Sequence, residues 1–204
     1  LIAKVDEKLG ELLDRLDRLG MAQDTLFIFS SDHGEMGGAH NLVGKGFDLY
    51  EEVLRVPLIL RLPGVIQPTA TCGLQASLLD IVPTLSELTG SALPPGCSGQ
   101  SLCPAFGGGE PEALRREWML LENYGHVFPN FALGLRSKEW LYEFRPTGQD
   151  RLFDRLKDPG QALNLAGQAA YRTELAALRR QLLEQMRKVN HPLAGRVATH
   201  LAHN

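Results

Sequence analysis

Residues 25–64 read TLFIFSSDHGEMGGAHNLVGKGFDLYEEVLRVPLILRLPG. An apolar run rich in aromatic and β-branched residues, 25–31, gives way to a polar, glycine-rich segment. A second apolar run, 56–62, then closes at Pro63-Gly64. Short apolar runs bounded by turn residues predict buried strands. Upstream, Ile2, Val5, Leu9, Leu12, Leu13, Leu16 and Leu19 recur at three- and four-residue steps, with charges on the other face. That stripe predicts an amphipathic helix, which Gly20 stops. Downstream, SLLDIVPTLSELTG (77–90) predicts a helix ended by Gly90, with Pro83 near its start or kinking it. Helix, strand, loop, strand, helix is the rhythm of an α/β layer with a mostly parallel sheet.

The composition bounds what such a chain does. Of 204 residues, 44% are hydrophobic and 22% charged, as in an ordinary globular protein. A formal net charge of −3 leaves no electrostatic footprint for nucleic acid or an anionic membrane. No apolar run reaches the roughly 18 residues of a membrane span. The chain opens on Leu1, inside a helical pattern and without a capping residue. The expectation is a segment of a longer protein, with any leader, and hence the compartment, out of sight. Cys72, Cys97 and Cys103 show no metal-ligand spacing, and C-x-x-C is absent. A Cys97–Cys103 disulfide is left open for an oxidising compartment.

Residues 91–110 are dense in Pro, Gly and Ser and read as a linker or long surface loop. Beyond them REWMLLENY (116–124), FALGLRS (131–137) and EWLYEF (139–144) predict strands of an antiparallel sheet. YRTELAALRRQLLEQMRKV (171–189) predicts an amphipathic helix. The expected organisation is an α/β piece over 1–105, a small α+β subdomain over 106–190 and a tail over 191–204.

Ligands of open α/β sheets bind beyond the carboxyl ends of the strands. Asp32 and His33 stand immediately past such an end, a hard oxygen and an imidazole nitrogen for a divalent cation. Gly34 lets the chain turn away without a Cβ crowding the site. Lys45, flanked by Gly44 and Gly46, is a compact cation suited to gripping a tetrahedral oxyanion. A nucleotide P-loop fails: five residues separate Gly38 from Gly44, and Gly46 stands where Ser or Thr is required. Neither H-E-x-x-H nor G-x-S-x-G occurs around these residues.

Taken in order, residues 25–64 resemble the sulfatase family of the alkaline-phosphatase-like superfamily. LLDIVPTLSELTG and SGQSL resemble its next landmarks. LRSKEWLYEF, followed by RLFDRLKDPGQALNLAG, resembles the family's C-terminal subdomain. The resemblance runs to about residue 190 and implies the C-terminal half of a sulfatase, a hydrolase of sulfuric esters carried by small molecules or saccharides. It implies that Asp32 and His33 are metal ligands, usually for calcium, that Lys45 contacts the sulfate ester, and that His40 lines the site. Ala39 departs from the pattern, which commonly has an acidic residue there. The family's nucleophile is a formylglycine made from the Cys or Ser of a C/S-x-P-S-R motif. None of the three cysteines fits that motif, so the formylglycine and the remaining acidic ligands are expected in an N-terminal half. Phosphonate or phosphate ester hydrolysis on the same scaffold, or a non-catalytic module keeping the fold, are the competing readings. His126, His191, His200 and His203 carry no assigned role, and oligomeric state is not readable.

Overall fold

The computed structural model describes residues 1–125 and 131–202. In chain order its principal elements are α1 (Ile2–Arg18), β1 (Phe27–Ser30), α2 (Glu51–Leu54), β2 (Leu58–Arg61) and α3 (Ile81–Thr89). Then come β3 (Met119–Asn123), β4 (Ala132–Arg136), β5 (Trp140–Phe144), β6 (Arg151–Asp154), α4 (Arg172–Lys188) and α5 (Ala194–Ala202). No described helix is long and apolar enough to cross a membrane. The chain forms two compact units, Leu1–Asp32 with Pro57–Arg115, and His33–Val56 with Arg116–Asn204.

In the first unit β1 and β2 pair antiparallel, from Phe27 opposite Arg61 to Ser30 opposite Leu58. This differs from the parallel pairing expected within a mixed α/β chain. A parallel return needs a crossover of a dozen or more residues, usually a long helix. The segment between these strands carries only the four-residue α2 as α-helix. α3 ends as expected at Gly90, which adopts left-handed φ 67°. Pro83 sits in its first turn, where a missing N–H costs nothing.

The Pro- and Gly-rich stretch 91–110 is tied to this helix. Fully buried Asp80 accepts from Ser77 N–H and Gln100 N–H at 2.8 and 2.9 Å. The Thr84 hydroxyl accepts from Leu102 N–H at 2.8 Å. Gly99 lies so close that a Cβ there would stand 2.0 Å from Leu79 O. Each of these bonds satisfies a backbone donor that burial would otherwise orphan. Cys72, Cys97 and Cys103 are all free thiols, so no Cys97–Cys103 bridge forms.

The second unit holds the antiparallel sheet in the order β3-β4-β5-β6. Alternation sends its side chains to two cores. Leu133, Leu135, Tyr142, Phe144 and Leu152 pack with Leu178, Leu182 and Met186 of α4. Leu141 and Phe153 point the other way, onto Met36, Tyr50 and Val53. Truncating one fully buried Leu of this kind costs about 2–5 kcal/mol. The stretch expected as a tail contains α5, whose Val197 is fully buried against the α4 core. His191 is buried too, its Nε2 3.1 Å from Tyr124 Oη and 3.3 Å from Glu122 Oε2. His126 and His203 lie outside the described residues.

Candidate functional site

β1 ends at Ser30, whose hydroxyl donates to Pro57 O at 2.8 Å. Asp32 follows as an exposed residue closing the first unit. His33, next in the chain, opens the second. Its Nδ1 lies 2.8 Å from Gly34 O. A carbonyl only accepts, so Nδ1 is the nitrogen that carries a proton in this contact. Histidines that bind metals are commonly oriented this way, by donating their other N–H to a backbone carbonyl.

Gly34 is sterically required. Its N–H donates to Val53 O at 2.8 Å, and a Cβ would stand 1.9 Å from Glu52 O. Gly34→Ala is therefore expected to push the loop away from α2 and cost about 1–3 kcal/mol. A urea midpoint unchanged by this substitution would refute the close approach.

The loop beyond it is a closed hairpin. Met36 N–H donates to Gly44 O and Gly38 N–H to Leu42 O, at 3.0 and 2.9 Å. The Glu35 carboxylate accepts from Gly44 N–H at 2.6 Å and Gly37 N–H at 3.3 Å, bracing both sides. His40 and Asn41 form the tip with φ 52° and 59°, left-handed values that His and Asn tolerate better than most residues. The His40 ring stacks on Tyr50 at 3.8 Å and 13°, with Nε2 3.7 Å from Glu52 Oε1. Lys45 stands between Gly44 and Gly46, both left-handed at φ 74° and 56°. It makes no ion pair with another described residue and is half-buried.

Two charged networks hold the segment that follows. Glu51 accepts from Arg136 at 2.7 and 3.0 Å and from Arg155 at 3.1 and 3.4 Å. Its N–H donates to Gln161 Oε1 at 2.7 Å. Burial alone raises the Glu51 carboxyl, but the hydrogen bonds and charges of the two arginines outweigh it and hold it below the usual range. Asp48 pairs with Arg145 and, at 3.0 Å, with Arg151. Arg145 Nε also reaches Glu143 Oε1 at 2.8 Å. Glu143 is almost fully buried, and desolvation pushes its carboxyl up against both arginines. The Arg151 guanidinium in turn covers the Tyr50 ring at 5.2 Å.

Of the residues singled out from sequence, the second unit gathers His33, His40 and Lys45 on one braced loop. Tyr50, Glu51 and Glu52 stood in the quoted motif without assigned roles. The arginines around Glu51, and Arg151 over Tyr50, lie 85 to 104 residues away, and single-sequence spacing carries no signal for that, whereas Tyr50 and Glu52 also meet His40 within the motif. Among the described residues no three His, Cys, Asp or Glu side chains come together to hold a metal. Asp32 and His33 are chemically suited as donors, but two side chains fall short of the six to eight oxygens calcium takes.

A family model named Sulfatase matches residues 1–91. An ulvan-active sulfatase of Formosa agariphila is 32% identical over 174 residues, covering 82% of this chain and 34% of that protein. The structure of BT4656 in complex with its substrate D-glucosamine-2-N,6-O-disulfate superposes with a TM-score of 0.84 at 26% identity. That match covers 94% of this chain and 40% of the other. The phosphonate monoester hydrolase of Agrobacterium radiobacter superposes with a TM-score of 0.79 at 29% identity, covering 92% and 40%. The chain spans about a third of the length of the curated relatives it matches.

Proposed function

We propose, because this chain belongs to the sulfatase family and shares its alkaline-phosphatase-like α/β fold, that it supplies part of the catalytic site of a sulfuric ester hydrolase. The observation that carries the reading is the braced loop that follows Asp32-His33 and presents Lys45 between two left-handed glycines. In this reading Lys45 contacts the sulfuryl oxygens as a fixed point charge and stabilises the charge that develops there. His40, held on Tyr50, lines the same site. Asp32 and His33 contribute two of the ligands of a divalent cation, calcium by preference, His33 through Nε2, since its Nδ1 is engaged by Gly34 O. When bound, such a cation polarises the ester oxygens and neutralises their charge. The remaining ligands and a formylglycine nucleophile come from residues beyond these 204.

The substrate class we favour is a sulfate ester on a saccharide. The sulfated sugar bound by BT4656 and the ulvan-active relative support it. Phosphonate or phosphate monoester hydrolysis is the second reading, favoured by the likeness to the phosphonate monoester hydrolase. Tetrahedral anions of sulfur and phosphorus place nearly the same demands on a lysine and a cation.

The test uses a protein that also carries the C/S-x-P-S-R segment. Lys45→Ala is expected to lower kcat by about 10²–10³, the usual effect of deleting one donor to developing charge. Asp32→Ala is expected to lower both turnover and bound calcium, measured by elemental analysis. Turnover and metal content unchanged in both variants would sink the catalytic reading in favour of a non-catalytic module.

A further inference from the structure

The His40 imidazole is held by a ring and not by a hydrogen bond. It stacks on Tyr50 at 3.8 Å and 13°, nearly parallel and in contact. Its charged neighbour, Glu52 Oε1, stands 3.7 Å from Nε2, beyond the roughly 3.2 Å at which an N–H···O bond fixes a direction. Among the described residues the imidazole makes no hydrogen bond. Its side chain is nonetheless only 17% exposed, so packing restrains it.

The platform is itself fixed. Tyr50 is buried in the core with Met36, Val53 and Phe153, and the Phe153 ring meets it at 6.0 Å and 45°. The Arg151 guanidinium lies over the Tyr50 ring at 5.2 Å and is in turn held by Asp48 at 3.0 Å. The Tyr50 hydroxyl has no hydrogen-bond partner among the described residues, so the ring face is what meets His40. The backbone points the same way. His40 and Asn41 both adopt left-handed φ, and neither is a glycine. Such strain persists only where the surroundings over-determine it, and it gathers at functional sites.

We propose, on the reading that His40 lines the hydrolase site, that Tyr50 is a positioning residue whose ring face fixes the plane of the His40 imidazole there. The χ2 torsion of a histidine is broad, so an imidazole without a platform turns through many planes. Phenylalanine at position 50 keeps the face. Leucine keeps much of the bulk and loses the face. Misplacing a group in a site by about 1 Å costs up to about 10² in rate.

The test is a cycle of variants in a protein that also carries the C/S-x-P-S-R segment. Tyr50→Leu is expected to lower kcat about 10²-fold with KM little changed, and Tyr50→Phe to restore it. Once His40 is alanine, Tyr50→Leu is expected to cost nothing further, because the two residues act as one unit. A purely structural tyrosine would still exact its loss in that background. The 204-residue chain supplies a readout that needs no activity. It has six histidines, and His40→Ala identifies the His40 ring protons in the NMR spectrum by their loss. Lying over an aromatic face, they are expected to be shifted upfield, a shift kept in Tyr50→Phe and lost in Tyr50→Leu. Should Tyr50→Leu fail to fold, Tyr50→Met takes its place. No upfield shift in the unsubstituted chain, an unchanged shift in Tyr50→Leu, or additive kcat losses in the double variant would each overturn the proposal. A fall in kcat in His40→Ala without one in Tyr50→Leu would overturn it alone. Full kcat in His40→Ala would remove the site reading of His40 and the proposal with it.

Discussion

Purified as 204 residues and supplied with calcium, the chain is expected to leave an activated aryl sulfate unhydrolysed, about 10⁶-fold slower than a full-length sulfatase assayed beside it. The reason is chemical. A covalent mechanism without its nucleophile retains only background rate. Cys72, Cys97 and Cys103 are followed by GLQA, SGQS and PAFG, so none lies in a C/S-x-P-S-R motif. Ser30 donates to a backbone carbonyl rather than to a base. Steady-state hydrolysis within a hundredfold of the full-length enzyme would show that a nucleophile resides in these residues, and that the division of labour proposed above is wrong.

Replacing Glu51 by alanine is expected to destabilise the second unit by about 3–5 kcal/mol, because it leaves Arg136 and Arg155 half-buried around a lost carboxylate. Both guanidiniums are 16% exposed, so solvent compensates little. Urea denaturation followed by circular dichroism measures the loss, and a shift below about 1 kcal/mol would mean that the network is merely superficial. The same carboxylate sets an acid limit. Its folded-state pKa lies below the ordinary value of about 4.3, so its stabilisation is complete above that pH. It is then lost as pH falls through the lowered folded value. Glu51→Gln should remove this part of the acid sensitivity, flattening the urea midpoint against pH below about 4.

Which parts of this could be read along the chain depends on the range of the forces involved. The α1 stripe, the two apolar runs, Gly90 after α3, and the long period of α4 are local patterns, and each appears where its periodicity placed it. Gly44 and Gly46 were legible only as a flexible flank of Lys45, and their left-handed φ values of 74° and 56° come from the fold. β6 and α5 were not legible. Arg151–Asp154 is too short to display alternation, and α5 is defined by the burial of Val197 against a core that other elements build.

The ordered motif from Thr25 to Gly64 was enough to identify the family and to single out Asp32, His33, His40 and Lys45. The strand direction and the Glu51–Arg136–Arg155 and Asp48–Arg145–Arg151 networks were decided only in three dimensions. A charge in one segment carries no mark of the partner it will meet a hundred residues later. Periodicity reports the face a residue turns to its own element's neighbours, whereas desolvation, ion pairing and close approach depend on which distant backbone arrives there. Gly34 shows both at once: its glycine was legible as a turn, but the carbonyl of Glu52, 1.9 Å from a Cβ it cannot have, belongs to the fold alone.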